Sequence, residues 1–213
     1  MELINEQVQQ YAERYTTAED TLLKEIAEYT YTHLSQPHML SGHLQGKLLE
    51  MISYMIRPRR ILEIGTFTGY SALCLAKGLQ PDGILHTIEL REETAQIAKG
   101  YFERSSYPHR IILHTGDALS IIEQLQEEWD LVFIDADKPG YVDYFNRVLP
   151  KVRKDGFILA DNVLFHGQVL EKEITGKSAK AIQAFNDYIQ SRTDIEKMIL
   201  PVRDGICLIR KIG

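Results

Sequence analysis

Two acidic stretches each end a strongly apolar run. Leu131-Val132-Phe133-Ile134 leads into Asp135-Ala136-Asp137-Lys138, and Phe157-Ile158-Leu159-Ala160 leads into Asp161-Asn162. Such runs read as strands of a parallel sheet buried on both faces. Carboxylates at the ends of these strands lie at the edge where open α/β sheets bind ligands. Asp135, Asp161 and Asn162 supply hard oxygen ligands suited to Mg²⁺, Mn²⁺ or Ca²⁺. The cluster lacks Cys and the Cys/His spacing of a zinc centre. Lys138 adds a possible base beside it.

A second group of residues points to a cofactor. Ile61-Leu62-Glu63-Ile64-Gly65-Thr66-Phe67-Thr68-Gly69-Tyr70-Ser71 reads as a strand, a glycine-bearing turn and a helix start. Gly65 and Gly69 allow a close backbone approach to a ligand. The spacing is G-x-x-x-G, which weakens a pyrophosphate reading that would need G-x-G-x-x-G. No Gly-Lys-Ser/Thr follows, so a Walker loop is excluded. The next strand ends in Glu89, where an acidic side chain accepts hydrogen bonds from ribose hydroxyls. The third strand leads to Gly116-Asp117-Ala118, placed to flank an adenine. Singly, Glu89 reads as a helix N-terminal charge and Asp117 as an N-cap. In this order they favour an adenosine-containing cofactor.

The elements that must position these groups alternate along the chain. Strands are expected at 60–64, 84–88, 110–114, 130–134 and 156–160, with helices at 69–79, 91–104, 118–127 and 140–150. Such alternation builds βαβ units and a parallel sheet covered by helices on both faces. Residues 3–34 read as two helices broken near Thr16-Thr17, and 35–43 as a loop. Leu44, Leu48, Leu49, Ile52 and Met55 give 44–56 a helical stripe. Residues 1–56 would form an N-terminal helical cap on a single domain, 1–213. After a helix at 178–191, segments 195–201 and 205–210 flank the turn-like Arg203-Asp204-Gly205 and read as an antiparallel pair closing the sheet.

The 213 residues suit one domain with a sizeable core. A net charge of −6 gives no general pull toward nucleic acid or anionic membrane. Arg57, Arg59 and Arg60 form a basic cluster that reads as a solvated helix end. Cys74 and Cys207 sit in apolar patterns and read as buried free thiols in a reducing compartment. The acidic Met-Glu-Leu-Ile-Asn-Glu start lacks the regions of a signal peptide, and no apolar run approaches the roughly 20 residues of a membrane span. The expected location is cytoplasmic, with no membrane partner.

With these segments in hand, the chain resembles the cation-dependent class I O-methyltransferases, the family of caffeoyl-CoA and catechol O-methyltransferases. The likeness runs from about Pro37 to Lys211. Residues 62–71, Phe133-Ile134-Asp135-Ala136-Asp137-Lys138, Asp161-Asn162-Val163-Leu164-Phe165 and Pro201-Val202-Arg203-Asp204-Gly205 carry it. It implies a Rossmann-like doubly wound α/β fold, mostly parallel with an antiparallel C-terminal hairpin, and S-adenosylmethionine as cofactor. By motif, Glu63, Gly65 and Thr66 would lie along the methionine end, and Ser71 would bind its carboxylate. Glu89 would hold the ribose, and Ala118 would border the adenine. Met39 and Ser41 would cover the cofactor, and Asp137 would sit near its amino group, with Asp135 also beside it. The cation, Mg²⁺ or else Mn²⁺ or Ca²⁺, would rest on Asp135, Asp161 and Asn162. Lys138 matches the family's general base, with Asp135 the other catalytic residue. That role needs a neutral amine, so its pKa should be lowered by the cation and by burial.

The expected activity is cation-dependent methylation of a hydroxyl on a small catechol-type vicinal diol. Alternatives within the family are hydroxycinnamoyl-CoA methylation and methylation of 5-hydroxyuridine in tRNA. The acidic balance argues weakly against RNA. A reading of another class, a non-catalytic nucleotide-binding protein, is opposed by the Asp135, Asp161, Asn162 and Lys138 set. His38, His43 and His166 are expected on loops bordering the site. Phe165, and less directly Tyr141, are placed to stack on an aromatic ring, whereas Trp129 reads as core. Arg203 departs from the glycine often found in the family's C-terminal turn. Segment 165–176 is short and polar, and features that would recognise CoA are not evident. The resemblance also implies a homodimer.

Overall fold

A computed structural model describes residues 5–213, so the expected helix positions 3–4 lie outside the described residues. Three helices come first: α1 (Glu6–Arg14), α2 (Thr21–His33) and α3 (Gly42–Ile56). The core then alternates β1 (Arg60–Ile64), α4 (Tyr70–Ala76), β2 (Ile84–Glu89), α5 (Glu92–Arg104), β3 (Ile111–Thr115), α6 (Ala118–Gln124), β4 (Trp129–Ile134), α7 (Tyr141–Val148) and β5 (Val152–Ala160). It ends in α8 (Lys177–Ser191), β6 (Ile195–Leu200) and β7 (Ile206–Lys211). Asn5, Asp20 and Asp117 cap α1, α2 and α6 through their side chains, satisfying orphan backbone donors. The break between α1 and α2 holds Thr16 and Thr17, as expected.

The seven strands lie in the order β3-β2-β1-β4-β5-β7-β6. β1 through β5 pair in parallel, and β7 runs antiparallel between β5 and β6. The order reverses at β1 and β4, so the crevice beyond their C-terminal ends is where such sheets take ligands.

Strand side chains alternate between two cores. Leu62, Ile64, Val132, Ile134, Ile158 and Ala160 face one, where Trp129, Tyr141, Phe145 and Phe185 are also buried. Ile61, Leu131, Phe133 and Leu159 face the other, together with residues of α2 to α5. Both faces are covered, which is why these strands read as continuous apolar runs. Cys74 and Cys207 are free and buried.

Two expectations need correcting. β5 begins at Val152, ahead of the expected 156, and its register against β4 shifts between Trp129 and Leu131, with Asp155 at φ 59°. An irregular start carrying Arg153, Lys154 and Asp155 hid the strand's true length. The inward face of α3 includes Gln45, Gly46, Glu50 and Ser53 beside Leu49 and Ile52, while Met55 is 72% exposed. Polar partners decide this helix's orientation: Ser53 Oγ donates to the Leu75 carbonyl at 2.6 Å, and Lys47 and Lys77 pair with Glu50.

Candidate active site

A cavity of about 810 Å³ opens at the strand switch. Met39, Ser41, Gly65, Thr66, Ser71, Glu89, Ala118, Asp135, Asp137, Lys138, Asp161 and Asn162 all line it. Of the residues expected to hold cofactor or cation or to act in catalysis, Glu63 alone does not. It is fully buried within β1, one layer beneath the turn.

The turn after β1 is built by close backbone contact. Gly65 has φ 102°, and a Cβ there would meet the Asp135 carbonyl oxygen at 1.9 Å. Only glycine lets the ends of β1 and β4 approach this far. Gly69, also left-handed, starts α4, and its first turn carries Ser71 into the cavity wall.

Hydrogen bonds hold the acidic wall in place. Glu89 Oε2 accepts the Phe67 N–H at 2.8 Å, and Oε1 accepts the Arg91 N–H at 3.0 Å. Oε1 also accepts from Arg91 Nε at 3.4 Å, while Oε2 keeps a further lone pair for a ligand hydroxyl. Thr87 Oγ1 donates to Glu63 Oε2 at 2.5 Å, while Glu63 Oε1 has no partner among the described residues. Burial pushes the Glu63 carboxyl up to about 8. Tyr144 donates its hydroxyl hydrogen to Asp137.

Beyond β4 and β5 the acids and the lysine converge. Lys138 Nζ donates to Asp135 Oδ1 at 3.1 Å, to Asn162 Oδ1 at 2.7 Å and to the Tyr141 hydroxyl at 2.7 Å. Tyr141 donates onward to the Asp161 carbonyl at 3.0 Å. Asn162 turns in the left-handed region at φ 56°, which asparagine tolerates, and so brings its amide oxygen to the lysine. The Asp161 carboxylate is buried; Oδ1 accepts the Asn162 N–H at 2.7 Å and Oδ2 accepts Gln45 Nε2 at 2.6 Å. Burial, then the charge of Asp135, pushes the Asp161 carboxyl above the ordinary aspartate range.

Lys138 corrects an expectation. Burial alone works to lower its pKa, but Tyr141, Asp135 and Asp161 outweigh burial and hold the ammonium above the ordinary lysine range. One of the two causes expected to neutralise it is therefore overcome by the acids it faces.

Among the described residues, no group of three or more His, Cys, Asp or Glu is placed to hold a metal ion. The donor set here is two carboxylates and an amide oxygen. Asp135 and Asn162 already converge on one cation, the Lys138 ammonium. Asp161 adds a second buried carboxyl, so the single Lys138 ammonium faces two acids. Hard oxygens around excess buried negative charge fit a divalent ion of the Mg²⁺ type.

Other expectations divide. His38, Phe165 and His166 line the cavity. His43 does not; it lies in the first turn of α3, and its Nε2 is 2.8 Å from the Thr17 carbonyl oxygen. Tyr141 is buried beneath the cavity, edge-on to Phe185, and its hydroxyl serves Lys138. It cannot stack on a ligand. Asp117 is the N-cap of α6 and also lines the cavity. Sequence reasoning missed Gln45, Phe67, Arg91 and Tyr144, which hold Asp161, Glu89 and Asp137. A polar Gln45 inside an apolar helical stripe was the one available signal.

Comparison with known proteins follows the same lines. The O-methyltransferase family profile matches residues 13–212. A catechol O-methyltransferase of Niastella koreensis is 35% identical over 160 residues, spanning 73% of this chain and 72% of that protein. A probable caffeoyl-CoA O-methyltransferase of Dictyostelium discoideum is 30% identical over 215 aligned positions, spanning 98% and 93%. The structure of the O-methyltransferase TomG of Streptomyces achromogenes, in complex with SAM, matches with a TM-score of 0.90 at 30% identity, covering 97% of this chain and 96% of that one. An O-methyltransferase of Bacillus cereus in complex with SAH matches with a TM-score of 0.88 at 30% identity, covering 96% and 97%. Sheet order, the cavity at the β1/β4 switch and nearly full-length similarity agree: the chain belongs to the O-methyltransferase family.

Proposed function

We propose that this enzyme transfers a methyl group from S-adenosylmethionine to one hydroxyl of a small catechol-type vicinal diol, with a Mg²⁺-type cation on Asp135, Asp161 and Asn162. The observation that carries the reading is the convergence of Asp135, Asn162 and Lys138 in the cavity that also holds Gly65 and Glu89. The names of the relatives support a phenolic acceptor.

When bound, the cation would grip both vicinal oxygens and ease their ionisation, and S-adenosylmethionine would supply the methyl group. The chain's own residues do the rest. Glu89, fixed by the Phe67 and Arg91 N–H groups, accepts the ribose hydroxyls. Ser71 donates to the methionine carboxylate, and Asp137, oriented by Tyr144, accepts from its amino group. Thr66 and Gly65 lie along the same end, Met39 and Ser41 cover it, and Ala118 borders the adenine. With a cation offsetting the charge of Asp135 and Asp161, Lys138 would release its extra proton to water in the cavity and Nζ would then take the acceptor's hydroxyl proton, with Tyr141 keeping the amine aimed at the site. Phe165 offers its ring face to the acceptor. We also read the enzyme as a cytoplasmic homodimer.

The test is a methylation screen with catechols, hydroxycinnamoyl thioesters and hypomodified tRNA, each with Mg²⁺ or excess EDTA. The expected result is methylated catechol that disappears in EDTA. Full activity in EDTA overturns the cation; methylation of tRNA or thioester alone overturns the acceptor class.

A further inference from the structure

Arg203 stands in the turn between β6 and β7, yet its guanidinium reaches three sites more than 150 residues earlier in the chain. Nη1 donates to the Leu40 carbonyl at 2.8 Å, to the Ser41 carbonyl, and to Gln45 Oε1 at 3.4 Å. Leu40 and Ser41 line the cavity, and both are buried. Gln45 is 1% exposed and passes the contact on, its Nε2 donating to Asp161 Oδ2 at 2.6 Å.

Donor and acceptor chemistry fixes the sense of this chain of bonds. A guanidinium only donates, and an ionised carboxylate only accepts. Only one orientation of the Gln45 amide satisfies both neighbours. Arg203 therefore sets the amide, and the amide holds Asp161 Oδ2 while the Asn162 N–H holds Oδ1, so the carboxylate plane is fixed from both sides. The same guanidinium anchors Leu40-Ser41 through two backbone carbonyls.

We propose that Arg203 is a positioning residue that couples the placement of Leu40-Ser41 at the cofactor end of the cavity to the orientation of the Asp161 carboxylate, through Gln45. The inference rests on the cation reading of Asp161 given above. It makes cofactor and cation binding cooperative, because each favours the arrangement that the guanidinium holds. Lysine should replace this function only in part, since its ammonium sits on a flexible stem and is not held in place by a planar group.

The test is calorimetric titration of S-adenosylhomocysteine and electron paramagnetic titration of Mn²⁺, each with and without the other ligand. The variants are Arg203→Met, Arg203→Lys and Gln45→Leu, with melting curves to confirm folding. In the unaltered chain, saturating S-adenosylhomocysteine should tighten Mn²⁺ binding. Arg203→Met should weaken both ligands about tenfold, the usual scale for losing a residue that orients a ligating group, and abolish the mutual effect. Arg203→Lys should recover part of the single affinities. Gln45→Leu should weaken Mn²⁺ alone and remove the coupling. Unchanged coupling in Arg203→Met overturns the inference while leaving the cation reading intact. Absence of Mn²⁺ binding by the unaltered chain overturns the cation reading, and the coupling with it.

Discussion

Lys138 and Asn162 meet across the ends of two adjacent parallel strands, the ammonium 2.7 Å from the amide oxygen. The left-handed turn at Asn162 makes this contact, and with Asp135 it places an ammonium where the site's oxygens converge. At this point the protein carries its own stand-in for a cation, and the first two predictions follow from it.

Replacing Lys138 by alanine leaves Asp135 and Asp161 facing each other without compensation. Removing one partner of a buried ion pair costs on the order of 3 kcal/mol. The melting temperature of Lys138→Ala should fall, and millimolar Mg²⁺ should restore most of the loss. Turnover should stay at least about 100-fold down even with Mg²⁺, the usual scale for a missing general base. Turnover equal to the parent at any pH would remove Lys138 from proton transfer.

Asp161→Ala removes a carboxylate that Gln45 and the Asn162 N–H hold in place. Methylation should be lost and Mn²⁺ affinity should fall at least about tenfold. S-adenosylhomocysteine affinity should change by no more than a fewfold, which titration calorimetry reads directly. Wild-type Mn²⁺ affinity in this variant would place the ion elsewhere.

Gly65→Ala should be among the most damaging single-methyl changes in the chain. The added Cβ would meet the Asp135 carbonyl at 1.9 Å, on a backbone at φ 102°. Relief requires β1 and β4 to part at the cavity, and the conformational strain alone costs about 2 kcal/mol. A fall in urea midpoint together with lost S-adenosylhomocysteine binding is expected. A variant with parental stability would show that the turn can open without cost.

Stability should also depend on a histidine pair far from the acids. His86 Nδ1 lies 3.0 Å from His114 Nε2, with the rings stacked, Trp129 edge-on and Glu127 and Arg60 nearby. Burial, with His114 adding to it, pushes the His86 imidazole down to about 4. The unfolded chain then binds the extra proton first, so this contribution is complete above the ordinary histidine value near 6.5 and is lost as pH falls toward 4. The loss amounts to about 3 kcal/mol for His86. Urea midpoints measured from pH 7 to pH 4 should decline less steeply in His86→Phe. An identical slope would show that the pair does not set the acid limit.

The parallel strands and the acids at their ends were legible because β1, β4 and β5 are buried on both faces and spell unbroken apolar runs. Glu89 and the Gly65 turn were legible because strand, glycine and helix start fall in a fixed order. The supporting contacts were not. Gln45 and Arg203 act across more than 110 residues of chain, and no local pattern encodes which distant carbonyl or carboxylate they meet. Tyr141 misled because an aromatic side chain near a site reads as a stacking surface, whereas its burial among Phe185 and the strand ends makes only its hydroxyl available. The early start of β5 was hidden by its charged residues, which face solvent beside a register shift.

The placement of β7 between β5 and β6 has a consequence for how the protein is made. The strand that presents Asp161 is synthesised well before the strand that covers its flank. Until residues 206–211 emerge, β5 remains an open edge with unpaired backbone groups, a surface prone to joining other chains. The hairpin that brings Arg203 to Leu40 is also the piece that closes that edge. Assembly of the site and protection of the nascent chain from aggregation are thus completed by the same late event, so slow emergence of this segment carries both risks at once.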